Sequence, residues 1–206
     1  KAHVANLSQR TAQDAARIAA VPQDQLPDGI VEVVKGEAPA APAQPAERST
    51  VELPPAAVGP MSLRLAAAKG DPSAQFDVAA RYAEGRGVPQ DFGQAAHWYQ
   101  RAAQQGLAQA QYRLAGLLER GLGVKADPPR AHIWYKRAAE QGNLKAMHNL
   151  AVLNAGSEAT PAELAAAHKW FGEAAERGLS DSQFNLAVLL ESGLGVEKDP
   201  VQAYKW

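Results

Sequence analysis

The chain has 206 residues, with 21 Lys and Arg against 22 Asp and Glu, a net charge of −1. That balance argues against a protein held on nucleic acid by bulk electrostatics, because phosphate binding draws on a surplus of cationic side chains. Cysteine is absent, which excludes disulfides, thiolate metal sites and a cysteine nucleophile. No run approaches the ~18 apolar residues of a membrane span, and no basic start leads into an apolar stretch with a small-residue cleavage site. The chain opens on Lys1 and stops at Trp206 in mid-pattern, so it reads as an excerpt of a longer protein.

The first 60 residues differ from the rest. They hold 8 of the 14 prolines and none of the aromatic residues. Residues 3–20 place Val4, Leu7, Ala15 and Ile18 on one side of a short helix, although Thr11 and Asp14 interrupt the stripe. Residues 30–34 read as a strand. Neither element has a partner within the chain, and such pieces are marginal alone in water. Residues 38–46 alternate Pro and Ala, stiffened towards polyproline II and too poor in bulky side chains to build a core. Residues 1–60 are therefore expected to be a largely disordered tether.

Beyond Pro60 the chain repeats. Tryptophan stands at 98, 134, 170 and 206 and glycine at 70, 106, 142 and 178, each step being 36 residues. Phe76, Tyr112, His148 and Phe184 keep the same interval, as do Ala79, Ala115, Ala151 and Ala187. A fixed period of this size marks a repeat protein. Each unit predicts two helices. The first, about 73–84 in the leading unit, carries Val78, Ala79 and Tyr82 on one face. The second carries Ala95, Trp98, Tyr99, Ala102 and Ala103, the i, i+3, i+4, i+7, i+8 stripe of an α-helix. Large rings set above alanines let neighbouring helices approach closely.

The unit boundaries carry matching chemistry. Gly85 and Gly87, Gly121 and Gly123, and Gly193 and Gly195 end the first helix where positive φ is needed. Asp91, Asp127 and Asp199 stand at the start of the second helix, with Pro128 and Pro200 following at its first position. Gln94 and Gln202 complete the spacing of a capping box. The third unit lacks the paired glycines at 154–159, so its loop should differ in shape while the helices stay in register. The reading is an all-α solenoid over 61–206: a capping helix at 61–69, repeats at 70–105, 106–141 and 142–177, and a truncated repeat at 178–206. Stacking buries faces that one hairpin cannot bury alone. Trp206 falls in the middle of a second helix on this scheme.

The series Ala-Gln-Tyr-x-Leu-Ala-x-Leu at 110–117, Gly-x-Gly-Val at 121–124 and Ala-x-x-Trp-Tyr-x-x-Ala-Ala-x-x-Gly at 131–142 resembles Sel1-like repeats, relatives of the tetratricopeptide repeat. The resemblance covers 61–206. It implies a right-handed α/α superhelix that works as a non-enzymatic protein-interaction scaffold, with the first helix of each unit lining a concave groove. A narrower likeness runs from Leu63 to Asp91 and over 146–153, with the Pro/Ala linker ahead of the array. These stretches are similar to the C-terminal repeats of PodJ-like polar localisation factors. That likeness implies a periplasmic region anchored to the inner membrane by a span outside this chain, marking a bacterial cell pole and meeting peptidoglycan-associated factors. Two other roles occur among Sel1-like proteins. One is cell-wall or β-lactam binding with weak hydrolysis, whose members carry a cysteine pair per repeat that is missing here. The other is regulation of a signalling kinase.

His132 and His168 sit at equivalent places in adjacent units; helices packed ~8–10 Å apart cannot bring both within the ~2 Å that zinc requires, so they read as rim histidines. His148 replaces a ring, and both a partly buried ring and a groove-lining side chain fit its position. Trp98, Trp134 and Trp170 lie on the apolar stripe and read as core. Gly121-Leu122-Gly123 lacks the third glycine and the preceding strand of a nucleotide loop. Ser157, Thr160 and Ser182 have no nearby His/Asp arrangement in sequence that suggests a nucleophile. No catalytic residue, metal or cofactor is expected. The variable polar positions remain. Carried over from the related repeats, Asp77, Arg113, Asn149 and Asn185 form one groove lane beside the ring lane of Tyr112 and His148. Ser73, Gln109, Lys145 and Asp181 form another. They suit a protein or peptide partner, and equally suit a merely solvated face. Residues 61–137 carry 11 basic and 6 acidic side chains, residues 138–206 carry 5 and 9.

Overall fold

Capping and turn residues set the element boundaries. The computed structural model describes residues 52–206, so the helix at 3–20, the strand at 30–34 and the Pro/Ala stretch lie outside the described residues. Within them, α1 (Met61–Ala68), α2 (Pro72–Glu84), α3 (Phe92–Gln104), α4 (Ala108–Arg120), α5 (Pro128–Glu140), α6 (Leu144–Asn154), α7 (Pro161–Glu176), α8 (Ser180–Ser192) and α9 (Pro200–Ala203) follow one another. Each packs chiefly on its neighbours in the chain, α2 on α3, α3 on α4 and so on to the end. The result is the expected all-helical stack of hairpins. No helix of the described residues is long and apolar enough to cross a membrane.

Side-chain size explains how closely the hairpins nest. Ala95, Ala102, Ala131, Ala138, Ala167 and Ala174 are fully buried, and Trp98, Tyr99, Tyr135 and Phe171 fill the space above them. A methyl group on one helix lets a ring on the next reach its backbone. The tryptophans do not fare alike. Trp98 is 1% exposed and Trp134 9%, whereas Trp170 is only half-buried, between two core clusters. Arg101, Arg137 and Lys169 lie over the three rings at 4.8, 4.7 and 5.3 Å from ring centre, shielding their outer faces by cation–π contact. Trp206 departs from expectation. The four-residue α9 ends at Ala203, and Trp206 lies beyond it, 39% exposed.

The caps largely follow the sequence. Asp91, Asp127 and Asp199 each accept the N–H of the residue three positions on, at 2.9, 3.0 and 2.8 Å. The reciprocal half expected of Gln94 and Gln202 does not form. The backbone N–H groups of Asp91 and Asp199 already donate to the carbonyls of Tyr82 and Leu190, so no orphan donor is left for the glutamine. The one complete capping box among the described residues stands in the third unit, where α7 starts a turn early at Thr160. The Thr160 hydroxyl takes the Glu163 N–H, while the Glu163 carboxylate takes the Thr160 N–H at 2.8 Å. That exchange holds the Glu163 carboxyl below its usual range.

Packing also begins earlier than Pro60. Within the described unit, Glu52–Trp206, Pro54 and Val58 are fully buried and the Pro54 carbonyl accepts from Arg64 Nε at 2.6 Å. Glu52 itself receives His97 and Arg101 at 2.9 and 3.2 Å. The reason lies in the repeat. The 3-10 turn Ala56–Val58 stands one period ahead of the first turn of α3, and α1 one period ahead of its last turns. Residues 52–68 thus form a second helix in reduced form. A Cβ on Gly87 would lie 2.9 Å from the Ala57 carbonyl, and one on Gly123 would overlap the backbone at Phe92 and Gly93, the equivalent place one unit on. Ala159, at the matching position of the third unit, cannot make that approach, which accounts for its altered loop.

Candidate protein-interaction face

The first helices α2, α4, α6 and α8 carry the ring lane, and the first three rings are each seated by their own unit. Phe76 leans on Tyr99, Tyr112 on Tyr135 and His148 on Phe171, with centroids 5.4, 5.9 and 5.6 Å apart. Such tilted and edge contacts hold the ring while leaving part of it accessible. Phe184, with no ring partner among the described residues, is 55% exposed.

Beneath the lane runs a set of polar contacts that spacing alone does not reveal. Gln75 and Gln111 are buried. Each donates to the carbonyl eight residues earlier, Ala67 and Ala103, and accepts from a glutamine at the end of the same unit's second helix, Gln105 or Gln141, at 2.8 and 2.7 Å. The signal was the recurring Gln before the ring position; Met147 breaks it in the third unit. The Tyr135 hydroxyl donates to Glu119 at 2.7 Å and accepts from Asn149 at 3.0 Å. Burial and the Glu119 carboxylate both push its ionisation upward. Tyr99 is shifted the same way by burial.

Three expected positions change meaning here. Asn149 is half-buried and committed to Tyr135, so its amide braces the framework. His148 is half-buried with Nδ1 3.0 Å from the Ser182 Oγ; burial lowers its basicity, against a smaller opposing effect of Asp181. Ser182 thus has a histidine partner that its sequence neighbours did not suggest. It is 0% exposed, so no substrate carbonyl reaches its oxygen, and the pair ties α6 to α8. His132 meets Asn154 at 3.0 Å, and burial lowers His168.

The remaining candidates divide by place. Gln109, Tyr112, Arg113 and Lys145 come together, with Phe76 and Asn143, around one shallow depression of about 330 Å³. It spans three successive units, drawing on α2, α4 and the start of α6. Arg113 and Lys145 are exposed, and the Arg113 guanidinium lies 6.0 Å from the Tyr112 ring centre. Asn143 was not anticipated, although an Asn just before a periodic apolar run is an N-cap signal; its Oδ1 accepts the Ala146 N–H at 3.0 Å. A second recess along the inter-unit turns shares Gln109 and Asn143. Asp77 and Asp181 are exposed and Asn185 half-buried, and none of the three lines the depression.

Equal two-helix units stacked in chain order define a repeat solenoid, whose binding surfaces are assembled from several units at once. The chain belongs to the Sel1 repeat family: the family's model, Sel1 repeat, matches residues 72–107, 108–143, 144–179 and 180–206. Proteins of this family are typically interaction scaffolds and generally non-catalytic. Among solved structures, the chain is similar to a protective antigen of uropathogenic Escherichia coli strains displaying an SLR fold. That match has 34% identity and a TM-score of 0.65 over 70% of this chain and 31% of the antigen. It is also similar to a Sel1 repeat protein from Oxalobacter formigenes, at 33% identity and a TM-score of 0.61, over 67% of this chain and 57% of that one. The chain therefore spans about a third and just over half of these two relatives. No curated protein sequence matches it.

Proposed function

We propose that the chain binds a protein or peptide partner along the face of its first helices. The observation that carries this reading is the depression in which Phe76, Gln109, Tyr112, Arg113, Asn143 and Lys145 converge from three units. Half-buried rings supply apolar contact and exposed amides and cations supply specificity, the usual division in peptide recognition. Photo-crosslinkable residues at Gln109 and at Gln100, an exposed position on α3, test it in cells. Partner adducts from position 109 and none from 100 are expected; the reverse pattern would refute the assignment.

The finer proposal is that this partner is a cell-pole factor met in the periplasm, with the repeat array anchored to the inner membrane by a segment outside this chain. It is supported by the likeness of residues 63–91 and 146–153, and of the preceding Pro/Ala stretch, to PodJ-like polar localisation factors. Imaging a fluorescent fusion of the whole protein tests the polar role: foci at one cell pole are expected, and an even distribution along the envelope or in the cytoplasm would overturn it.

A further inference from the structure

We infer that the partner segment seated in this depression is acidic, with a carboxylate side chain held between Arg113 and Lys145. The inference rests on the reading of the first-helix face as the binding surface. Arg113 and Lys145 are the only charged residues lining the depression, and both are cationic. Among the described residues neither forms an ion pair. The polar groups around them also present hydrogens. The amide N–H groups of Gln109 and of Asn143, whose Oδ1 already accepts the Ala146 N–H, can donate, as can the Tyr112 hydroxyl, which has no hydrogen-bond partner among the described residues. A site of donors and two cations fits an acceptor-only, negatively charged group. The half-buried rings of Phe76 and Tyr112 form the apolar floor, so a carboxylate beside an apolar residue matches the surface better than a bare anion.

The experiment selects peptides from a random 12-residue display library on the whole 206-residue chain and measures binding of the labelled winners by fluorescence anisotropy. Two double variants have the same net charge: R113E/K145E at the site and K125E/K136E at exposed positions away from it. Circular dichroism confirms that both fold. Selected peptides rich in Asp and Glu, whose Kd rises roughly tenfold or more in R113E/K145E and less than about twofold in K125E/K136E, are the expected result. Equal weakening in both variants would trace the effect to overall charge and overturn the inference. Peptides without acidic enrichment that still lose binding on Tyr112→Ala would also overturn it while leaving the face reading intact. Binding indifferent to Tyr112→Ala as well as to R113E/K145E, or no selected peptide at all, would overturn both.

Discussion

Gly123→Ala separates two reasons for a glycine. Gly106 and Gly123 both have positive φ, 92° and 70°, so an L side chain at either incurs left-handed strain of about 1–2 kcal/mol. Their surroundings differ. A Cβ on Gly106 meets nothing within 4 Å, whereas one on Gly123 falls on the backbone at Phe92 and Gly93. Backbone at the start of α3 cannot swing aside as a side-chain tip can. The loop carrying Leu122 and Val124, both packed on the core, must instead lift from the preceding unit. Overpacking of this kind adds about 1–3 kcal/mol. Gly123→Ala should therefore lose about 2–5 kcal/mol and Gly106→Ala about 1–2 kcal/mol, on the same chain and by the same residue change. Urea unfolding followed by circular dichroism at helical wavelengths measures both. Equal losses would show that the hairpins are not seated on Gly123 and would refute the nesting described here.

Tyr135→Phe leaves Asn149 and the Glu119 carboxylate without their shared partner and should destabilise by about 1–2 kcal/mol. Tyr99→Phe, which breaks no side-chain hydrogen bond of this kind, should stay within about 0.5 kcal/mol in the same unfolding assay. Burial depresses His148 in the folded state, so the unfolded chain takes up the proton first as pH falls. Its contribution is complete above the unfolded value of about 6.5 and declines as pH drops from there towards the folded value. His168 adds in the same sense. Urea midpoints between pH 5 and 7 should slope less for His148→Phe than for the native chain; an unchanged slope would remove His148 from the account. Thr160→Ala removes the hydroxyl that accepts the Glu163 N–H and donates to its carboxylate, leaving only the backbone half of the capping box, and should lower stability by about 1 kcal/mol, read as a shift in the urea midpoint.

Local chemistry was legible because it acts over a few residues. The interval of 36 placed the helices, the aspartates at 91, 127 and 199 marked starts, and the paired glycines marked left-handed ends. The candidate site was legible in part. Gln109, Tyr112, Arg113 and Lys145 do converge, whereas Asn149, at an equally polar position of the same lane, is taken up by Tyr135. Nothing near Asn149 in sequence distinguishes it from Arg113; a contact fourteen residues away does.

What the chain order settles alone is the period, because hydrophobic spacing and cap residues are local properties that each unit restates. What tertiary structure decides is the fate of each donor and acceptor once units meet. The Asp91 N–H goes to Tyr82 and bars a capping box, Ser182 is enclosed with His148, and residues 52–60, which the sequence assigns to the tether, bury Pro54 and Val58. Such outcomes depend on which polar groups and cavities remain unfilled at an interface, and that is set only when the hairpins have stacked.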